Sequence, residues 1–161
     1  MGFHSFLQKN RIPLESVMAK SWNKKIFKQI DKQVNQASKD LAEERGACPD
    51  AAEYGYQERF SNKTAIAPTA SISIICGGAS PGVEPIAANS YTHKTLSGSF
   101  NVRNRYLEEI LESHGKNDDE TWSTITTYQG SVSHLDFLTD LEKDVFKTAF
   151  ELNQKWIIEL S

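Results

Sequence analysis

The stretch best suited to chemistry runs from Thr64 to Gly78 and centres on Pro68, Thr69, Ala70, Ser71, Ile72 and Ser73, ahead of Cys76 and the Gly77, Gly78 pair. Neutral hydroxyl donors beside exposed backbone N–H groups, at a loop or a helix N-terminus, are what an anionic phosphate needs. A capped connector has the same composition, and residue chemistry alone leaves both readings open. Cys76 lies just past this loop, but no His or basic residue neighbours it to raise its thiolate fraction, which favours a packed thiol over a nucleophile. Glu84, between Gly82 and Pro85, fits either a functional loop carboxylate or a turn carboxylate bonding backbone amides.

The other reactive side chains offer less. His4, His93, His114 and His134 share no metal-type spacing. Cys48 and Cys76 form no CxxC, which argues against a disulfide framework or a cysteine zinc site. Asp118, Asp119 and Glu120 make an acidic cluster that a helix N-terminal cap explains. Lys24, Lys25, Lys28, Lys32 and Lys39 give a long helix a basic face, read as solvated surface. In the whole chain of 161 residues, 18 Lys and Arg stand against 21 Asp and Glu for a net charge of -3. That balance carries no basic footprint for nucleic acid. Mean hydropathy is -0.50, and no apolar run approaches the roughly 20 residues of a membrane span. Without a signal-peptide pattern at the N-terminus, a reducing, cytoplasmic setting is expected.

These residues need elements to position them. Residues 1–8 read as a short helix with Phe3, Phe6 and Leu7 inward, punctuated by Pro13, and a helical turn or two follows over 14–20. Ser21 is expected to cap a long helix whose Trp22, Ile26, Ile30, Val34, Ala37 and Leu41 recur at three- and four-residue steps. Gly46 would close it and Pro49 block it, with an irregular connector over 50–62. The central stretch reads as a buried strand opening onto a loop, although Ile72 with Ile75 also fits one face of a short helix. Residues 90–102 form a hairpin around Ser97, Gly98 and Ser99. A helix with Leu107, Ile110 and Leu111 inward is then expected from about Val102 to His114, stopped by Gly115. Another starts at Asn117, Asp118 or Asp119 and carries Trp122, Ile125 and Tyr128 towards Gly130. Thr139 and Glu142 make a capping box before a helical face of Val145, Phe146, Ala149 and Phe150. Asn153 restarts a helix through Trp156, Ile157 and Leu160. The chain opens in an apolar segment and ends on Trp156 to Ser161 without a polar tail, which leads us to expect a piece of something larger.

Three motifs fall in order: Pro68-Thr69-Ala70-Ser71, then Gly82-Val83-Glu84-Pro85, then Tyr91-Thr92 with Leu96-Ser97-Gly98-Ser99-Phe100. With Gly2-Phe3-His4-Ser5-Phe6-Leu7, Glu43-Glu44-Arg45-Gly46-Ala47-Cys48-Pro49 and Phe146-Lys147-Thr148-Ala149-Phe150-Glu151-Leu152, they make the chain resemble the catalytic (large, alpha) subunit of class I ribonucleoside-diphosphate reductases. The T4-type bacteriophage version is the most similar, and the resemblance spans essentially all 161 residues. It implies an α/β fold, a segment of that family's ten-stranded α/β barrel, helix-rich with a β-hairpin. It further implies that Pro68, Thr69, Ala70, Ser71 and Ile72 are the loop that binds the substrate diphosphate. The family often has Thr or Ser where Ile72 stands, so only backbone contact is expected there.

The resemblance also shows what this sequence lacks. The family's thiyl-radical cysteine, redox cysteine pair, radical-transfer tyrosines and allosteric nucleotide domain have no counterpart, and neither Cys48 nor Cys76 matches a catalytic position. No catalytic residue and no metal ligand is therefore expected here. Residues 1–161 are expected to be one incomplete catalytic barrel domain. The partners implied are complementary large-subunit fragments, the small (beta) subunit with its di-iron/tyrosyl-radical cofactor, nucleoside triphosphate effectors, a ribonucleoside diphosphate, and thioredoxin or glutaredoxin. Neither nucleic acid nor membrane is expected as a partner. The location would be the cytoplasm, the host's if the chain is phage-encoded. The isolated chain is expected to be inactive and dependent on partners, since segments of closed barrels leave strand edges and apolar faces open. The alternative is a non-catalytic remnant that binds phosphate or a reductase partner.

Overall fold

The computed structural model describes residues 1–96 and 98–161. In chain order the elements are α1 (Phe3–Lys9), α2 (Val17–Arg45), α3 (Pro49–Glu53), α4 (Ala70–Ile75), β1 (Ser90–Thr95), β2 (Gly98–Arg103), α5 (Arg105–Ser113), α6 (Asp119–Thr127), α7 (Asp140–Val145) and α8 (Gln154–Leu160). They divide between two units, residues 1–19 with 68–161 and residues 20–67.

α2 begins earlier than expected, within residues 1–19 of the larger unit, and continues into the smaller one. Ser21 lies inside the helix. Ser16 is the residue that receives the Ala19 amide, at 3.1 Å, while its own hydroxyl donates to the Pro13 carbonyl at 2.6 Å. The expected apolar stripe keeps its period but not its burial: Trp22 and Ile30 are exposed, and the buried positions over 20–45 are Ser38 and Ala42. Their smallness lets backbone approach. The Arg59 and Phe60 amides both reach the Ser38 hydroxyl, at 3.1 and 3.3 Å, and Gln57 Nε2 donates to the Ala42 carbonyl at 3.3 Å. Gly46 ends α2 in the left-handed region as predicted, its amide on the Ala42 carbonyl. Pro49 opens α3 as a first-turn proline, so the connector over 50–62 contains a short helix that the polar composition concealed.

The larger unit has two apolar clusters. One joins Leu107, Ile110 and Leu111 of α5 with Trp122 and Ile125 of α6, and with Val132, Leu135, Leu138, Val145 and Phe146. The other gathers Leu7, Leu14, Ala19 and Leu152, flanked by Phe3, Phe6, Trp156 and Ile157. Asp118 and Asn153 each accept an amide of the helix they start, and Thr139 with Glu142 forms the full capping box. The helix expected from about Val102 starts later: Val102 lies in β2, and Asn104 caps α5 at Arg105. Past that box, α7 is shorter than expected. It stops at Val145, so Phe146 is buried but Phe150 lies outside the helix and is 88% exposed. β1 and β2 pair antiparallel from Ser90 opposite Arg103 to Thr95 opposite Gly98. Of the turn predicted at Ser97, Gly98 and Ser99, Ser97 is outside the described residues, and Gly98 and Ser99 belong to β2.

Carboxamides tie these pieces together. Asn89 is 2% exposed and gives both Nδ2 hydrogens to backbone, the Gly130 carbonyl at 2.9 Å and the Phe146 carbonyl at 2.7 Å. Its Oδ1 accepts from Asn104 Nδ2 at 2.8 Å, and the same nitrogen donates to Gln8 Oε1 at 3.0 Å. Gly130 sits at φ 83° where a Cβ would come within 2.7 Å of Ala88 Cα and 2.8 Å of the Asn89 amide nitrogen. A Gly130→Ala variant should therefore lose more than about 2 kcal/mol of stability, from left-handed strain and backbone overlap together. Denaturant unfolding would measure it, and a loss below about 0.5 kcal/mol would contradict the packing described.

His4 adds a second tie. It is 3% exposed, and its Nδ1 accepts the Ile86 amide at 2.9 Å, which leaves the ring proton on Nε2. Burial pushes the imidazole down to about 4 from 6.5. The unfolded chain therefore binds a proton that the folded chain refuses between those values. The stabilisation is complete above about pH 6.5 and is lost as pH falls towards 4, by about 3 kcal/mol in all. His4→Asn keeps an acceptor and cannot titrate, so its melting temperature should fall less steeply than the parent's between pH 6.5 and 4.5. Parallel slopes would sink the assignment.

Candidate functional site

Residues 64–69 belong to no helix or strand, and all except Thr69 are exposed. The buried strand expected there does not form, because its hydrogen-bonding neighbours are not found among the described residues and an isolated strand gains nothing from pairing. The helical alternative for Ile72 and Ile75 is the one realised. It starts at Thr69 (φ −120°, ψ 32°) and continues as α4.

Thr69 does not cap its own helix. Its Oγ1 instead accepts the Gly82 amide at 2.9 Å. The first-turn amides of Ala70, Ser71 and Ile72 consequently have no acceptor among the described residues. Helix starts leave such donors orphaned unless a side chain or a ligand meets them. Ser71 and Ile72 turn their side chains to solvent, whereas Ser73 is buried and bonds back to the Ala70 carbonyl at 2.6 Å. At the other end, Gly77 (φ 77°) and Gly78 (φ 73°) take left-handed conformations. The Gly78 and Ala79 amides both reach the Ser73 carbonyl, at 3.0 and 3.1 Å. The glycine pair therefore ends the helix rather than facing a ligand at its start.

The chain then turns into residues 80–86, which are fastened to the N-terminal segment. The Ser80 amide donates to Ser5 Oγ at 2.8 Å, the Ser5 amide donates to Ser80 Oγ at 3.2 Å, and the Gly2 amide reaches the Ser80 carbonyl at 2.8 Å. Ser5, Ser80 and Pro85 are buried. Beside α4 lies a cleft of about 680 Å³, bounded by Ala70, Ser73 and Ile74 and, across it, by Ile86, Tyr91 and the Arg103 to Tyr106 turn. Of the five predicted loop residues, Ala70 alone lines it. Arg103 and Arg105 at its edge are engaged locally: Arg103 holds Asp119 at 2.7 Å and stacks on Trp122, and Arg105 bonds the Tyr106 hydroxyl at 2.8 Å across its ring.

The remaining candidates take structural positions. Glu84 is exposed and forms no hydrogen bond among the described residues, neither to a turn amide nor to a reactive partner. Cys76 is exposed at the α4 C-cap and Cys48 half-buried at the α3 N-cap. Asp118 accepts the Thr121 amide at 2.7 Å, and that bond holds its carboxyl below the ordinary range. His114 bridges to Glu142 at 3.1 Å. His134 stacks on Tyr128 at 3.9 Å, and burial lowers its pKa. His93 is half-buried on β1 and lines the cleft. The lysines at 24, 25, 28, 32 and 39 are exposed. Among the described residues, no group of three or more His, Cys, Asp or Glu gathers as a metal site, and no helix is long and apolar enough to cross a membrane. Sequence reasoning missed His4, Ser5, Ser80 and Gly82, whose pairings span 13 to 82 residues and leave no local periodicity.

Comparison with known proteins gives a consistent answer. A family model described as the barrel domain of ribonucleotide reductase matches residues 1–58 and 50–161. The chain is 46% identical over 163 residues to the ribonucleoside-diphosphate reductase large subunit of Invertebrate iridescent virus 6, covering 99% of this chain and 17% of that protein. Its identity to the large subunit of Invertebrate iridescent virus 3 is 44% over 164 residues, covering 100% of this chain and 26% of the relative. Among solved structures, the class Id ribonucleotide reductase alpha subunit of Actinobacillus ureae superposes with a TM-score of 0.89 at 38% identity, over 99% of this chain and 28% of that one. The chain thus spans 26% or less of the length of these two viral relatives.

Proposed function

The chain belongs to the ribonucleotide reductase barrel-domain family, and on that footing we propose that it supplies the substrate-diphosphate cradle of a ribonucleoside-diphosphate reductase catalytic subunit. The observation that carries this reading is the run of unclaimed amides at Ala70, Ser71 and Ile72, flanked by the Thr69 and Ser71 hydroxyls. Hydrogen bonds to a charged oxygen are worth about 1.5–3 kcal/mol each, so two or three hold a diphosphate without a lysine. Pro68 brings no N–H of its own and restricts the approach to the turn. Thr69 and Ser71 offer hydroxyls, Ala70 leaves room for a phosphate against the backbone, and Ile72 contributes its amide alone.

In this reading residues 1–161 are one incomplete catalytic domain. Reduction of a ribose needs a radical cysteine and a dithiol. Cys48 and Cys76 belong to different units, so those groups come from complementary parts of the large subunit. The di-iron/tyrosyl-radical cofactor resides in the small subunit, electrons come from thioredoxin or glutaredoxin, and nucleoside triphosphates act as effectors, all in the cytoplasm. Large apolar side chains left open, such as Val17 at 80%, Ile75 at 84% and Phe150 at 88% exposure, suit a chain that packs against the rest of such a subunit.

Ser71→Glu places a carboxylate among the phosphate donors. In the assembled subunit it should raise KM for a ribonucleoside diphosphate by about 10- to 100-fold, from one or two lost charge-assisted bonds plus repulsion. Steady-state kinetics decides, and an unchanged KM would refute the assignment. Co-expression with the remaining large-subunit segments should yield a complex with reductase activity. Absence of both complex and activity would defeat the proposal.

A further inference from the structure

We propose that Ser5 and His4 are positioning residues for the diphosphate loop, acting through residues 80–86 to keep Thr69 from capping its own helix. The inference rests on the reading of residues 68–72 as the cradle.

A threonine at a helix N-cap ordinarily turns its hydroxyl onto the amide two or three residues ahead. Here those amides are Ser71 and Ile72, two of the donors offered to a phosphate. Capping would satisfy them internally, and a ligand would then have to displace the cap. Instead the Thr69 hydroxyl accepts the Gly82 amide at 2.9 Å, and α4 starts without a side-chain cap. Whether that diversion persists depends on where Gly82 is held.

Gly82 itself is half-buried and sits between two fixed points. On one side, Ser80 and Ser5 exchange amide-to-hydroxyl bonds at 2.8 and 3.2 Å, and the Gly2 amide adds a third bond at 2.8 Å. On the other, the Ile86 amide donates to His4 Nδ1 at 2.9 Å. Ser5, Ser80 and His4 are 4%, 1% and 3% exposed, so water does not compete for these bonds. Both serine side chains are short, and a reciprocal pair leaves little rotational slack. His4 and Ser5 are adjacent on α1, so one helix sets the spacing of both anchors. The N-terminal segment thereby fixes the Gly82 amide, and the Gly82 amide keeps the Ser71 and Ile72 amides available.

The test titrates the large subunit assembled with this chain isotope-labelled, using inorganic pyrophosphate, and follows the chain's backbone amides by NMR, for the parent, Ser5→Ala, His4→Leu and His4→Asn. Ser5→Ala and His4→Leu should weaken pyrophosphate binding about 3- to 10-fold, the equivalent of one helix cap. His4→Asn retains an acceptor and should bind within twofold of the parent. Without ligand, the Ser71 and Ile72 amides of the weakened variants should exchange more slowly with solvent, because Thr69 now caps them; general loosening would speed exchange instead. If Ser5→Ala does not fold, His4→Leu against His4→Asn carries the same comparison. Parent-like affinity and parent-like exchange in Ser5→Ala and His4→Leu would overturn the inference. If Ser71→Glu abolishes pyrophosphate binding while these variants leave it intact, the clamp alone is wrong. If Ser71→Glu changes nothing or the parent does not bind, the cradle reading fails, and exchange at Ser71 and Ile72 still decides for or against the clamp.

Discussion

A buried carboxamide that must satisfy every one of its hydrogen-bonding groups holds the larger unit in register. Asn89 is almost fully removed from water, and each unpaired group on it would cost about 1–3 kcal/mol. It avoids that cost by spending both Nδ2 hydrogens on the carbonyls of Gly130 and Phe146 and its Oδ1 on Asn104. Its own backbone amide returns to Gly130 and its carbonyl takes the Asn104 amide. Asn104 in turn bonds Gln8 and caps α5 through the Tyr106 amide. The end of α6, the end of α7, the start of α5 and α1 are therefore referred to one side chain. Apolar packing in the two clusters supplies most of the driving force, but it is non-directional and tolerates sliding. The amide network does not slide. It makes the ends of these helices converge where backbone approach at Gly130 is closest.

The loop at residues 68–72 inherits its geometry from this arrangement at one remove. α1 is fixed at Gln8 by the network and presents His4 and Ser5 one turn earlier to residues 80–86. A six-residue helix such as α4 has little stability of its own, because nucleation is costly and few internal bonds follow. Its orientation must come from outside, and Gly82 on Thr69 with the Ser73 carbonyl under Gly78 and Ala79 provides it. In the proposed reading the binding groups are backbone amides, which are positioned only as well as the segment that carries them.

What was legible in the sequence follows from the range of each interaction. The caps at Thr139 and Asn153 act within three residues and could be read from residue type alone, whereas residue type left Asn117, Asp118 and Asp119 open for the start of α6. The hairpin also followed from two strand-like segments flanking small residues, although Gly98 and Ser99, read as its turn, belong to β2. The central stretch was misread as a buried strand because ten residues do not separate a period of two from one of 3.6, and because the ladder a strand needs depends on residues far away. In α2 the helical period was read correctly, but the buried face was assigned to the large apolar residues. Burial went to Ser38 and Ala42, which admit the returning backbone of residues 57–60. The five candidate loop residues were located by resemblance to a family, and the free amides of Ala70, Ser71 and Ile72 could be seen only with Thr69 turned away. His4, Ser5 and Ser80 left no trace, because pairing across 75 to 82 residues has no signature in spacing.

Holding a diphosphate and reducing a ribose make opposite demands on a protein, which explains how they can be separated along a chain. Reduction needs thiols whose ionisation and redox state change during turnover, and therefore groups that move and exchange protons. A cradle of amides and hydroxyls carries no titrating group near neutral pH, binds through fixed dipoles, and works best when nothing around it moves. The buried partners behind Thr69 fit the second demand: Ser5 and Ser80 do not ionise, and the one imidazole among them is held neutral down to about pH 4. In the proposed reading, the cradle's affinity is thus insulated from the proton and electron traffic of the reaction, and perturbing the clamp would change how well substrate is held without changing what the thiols do.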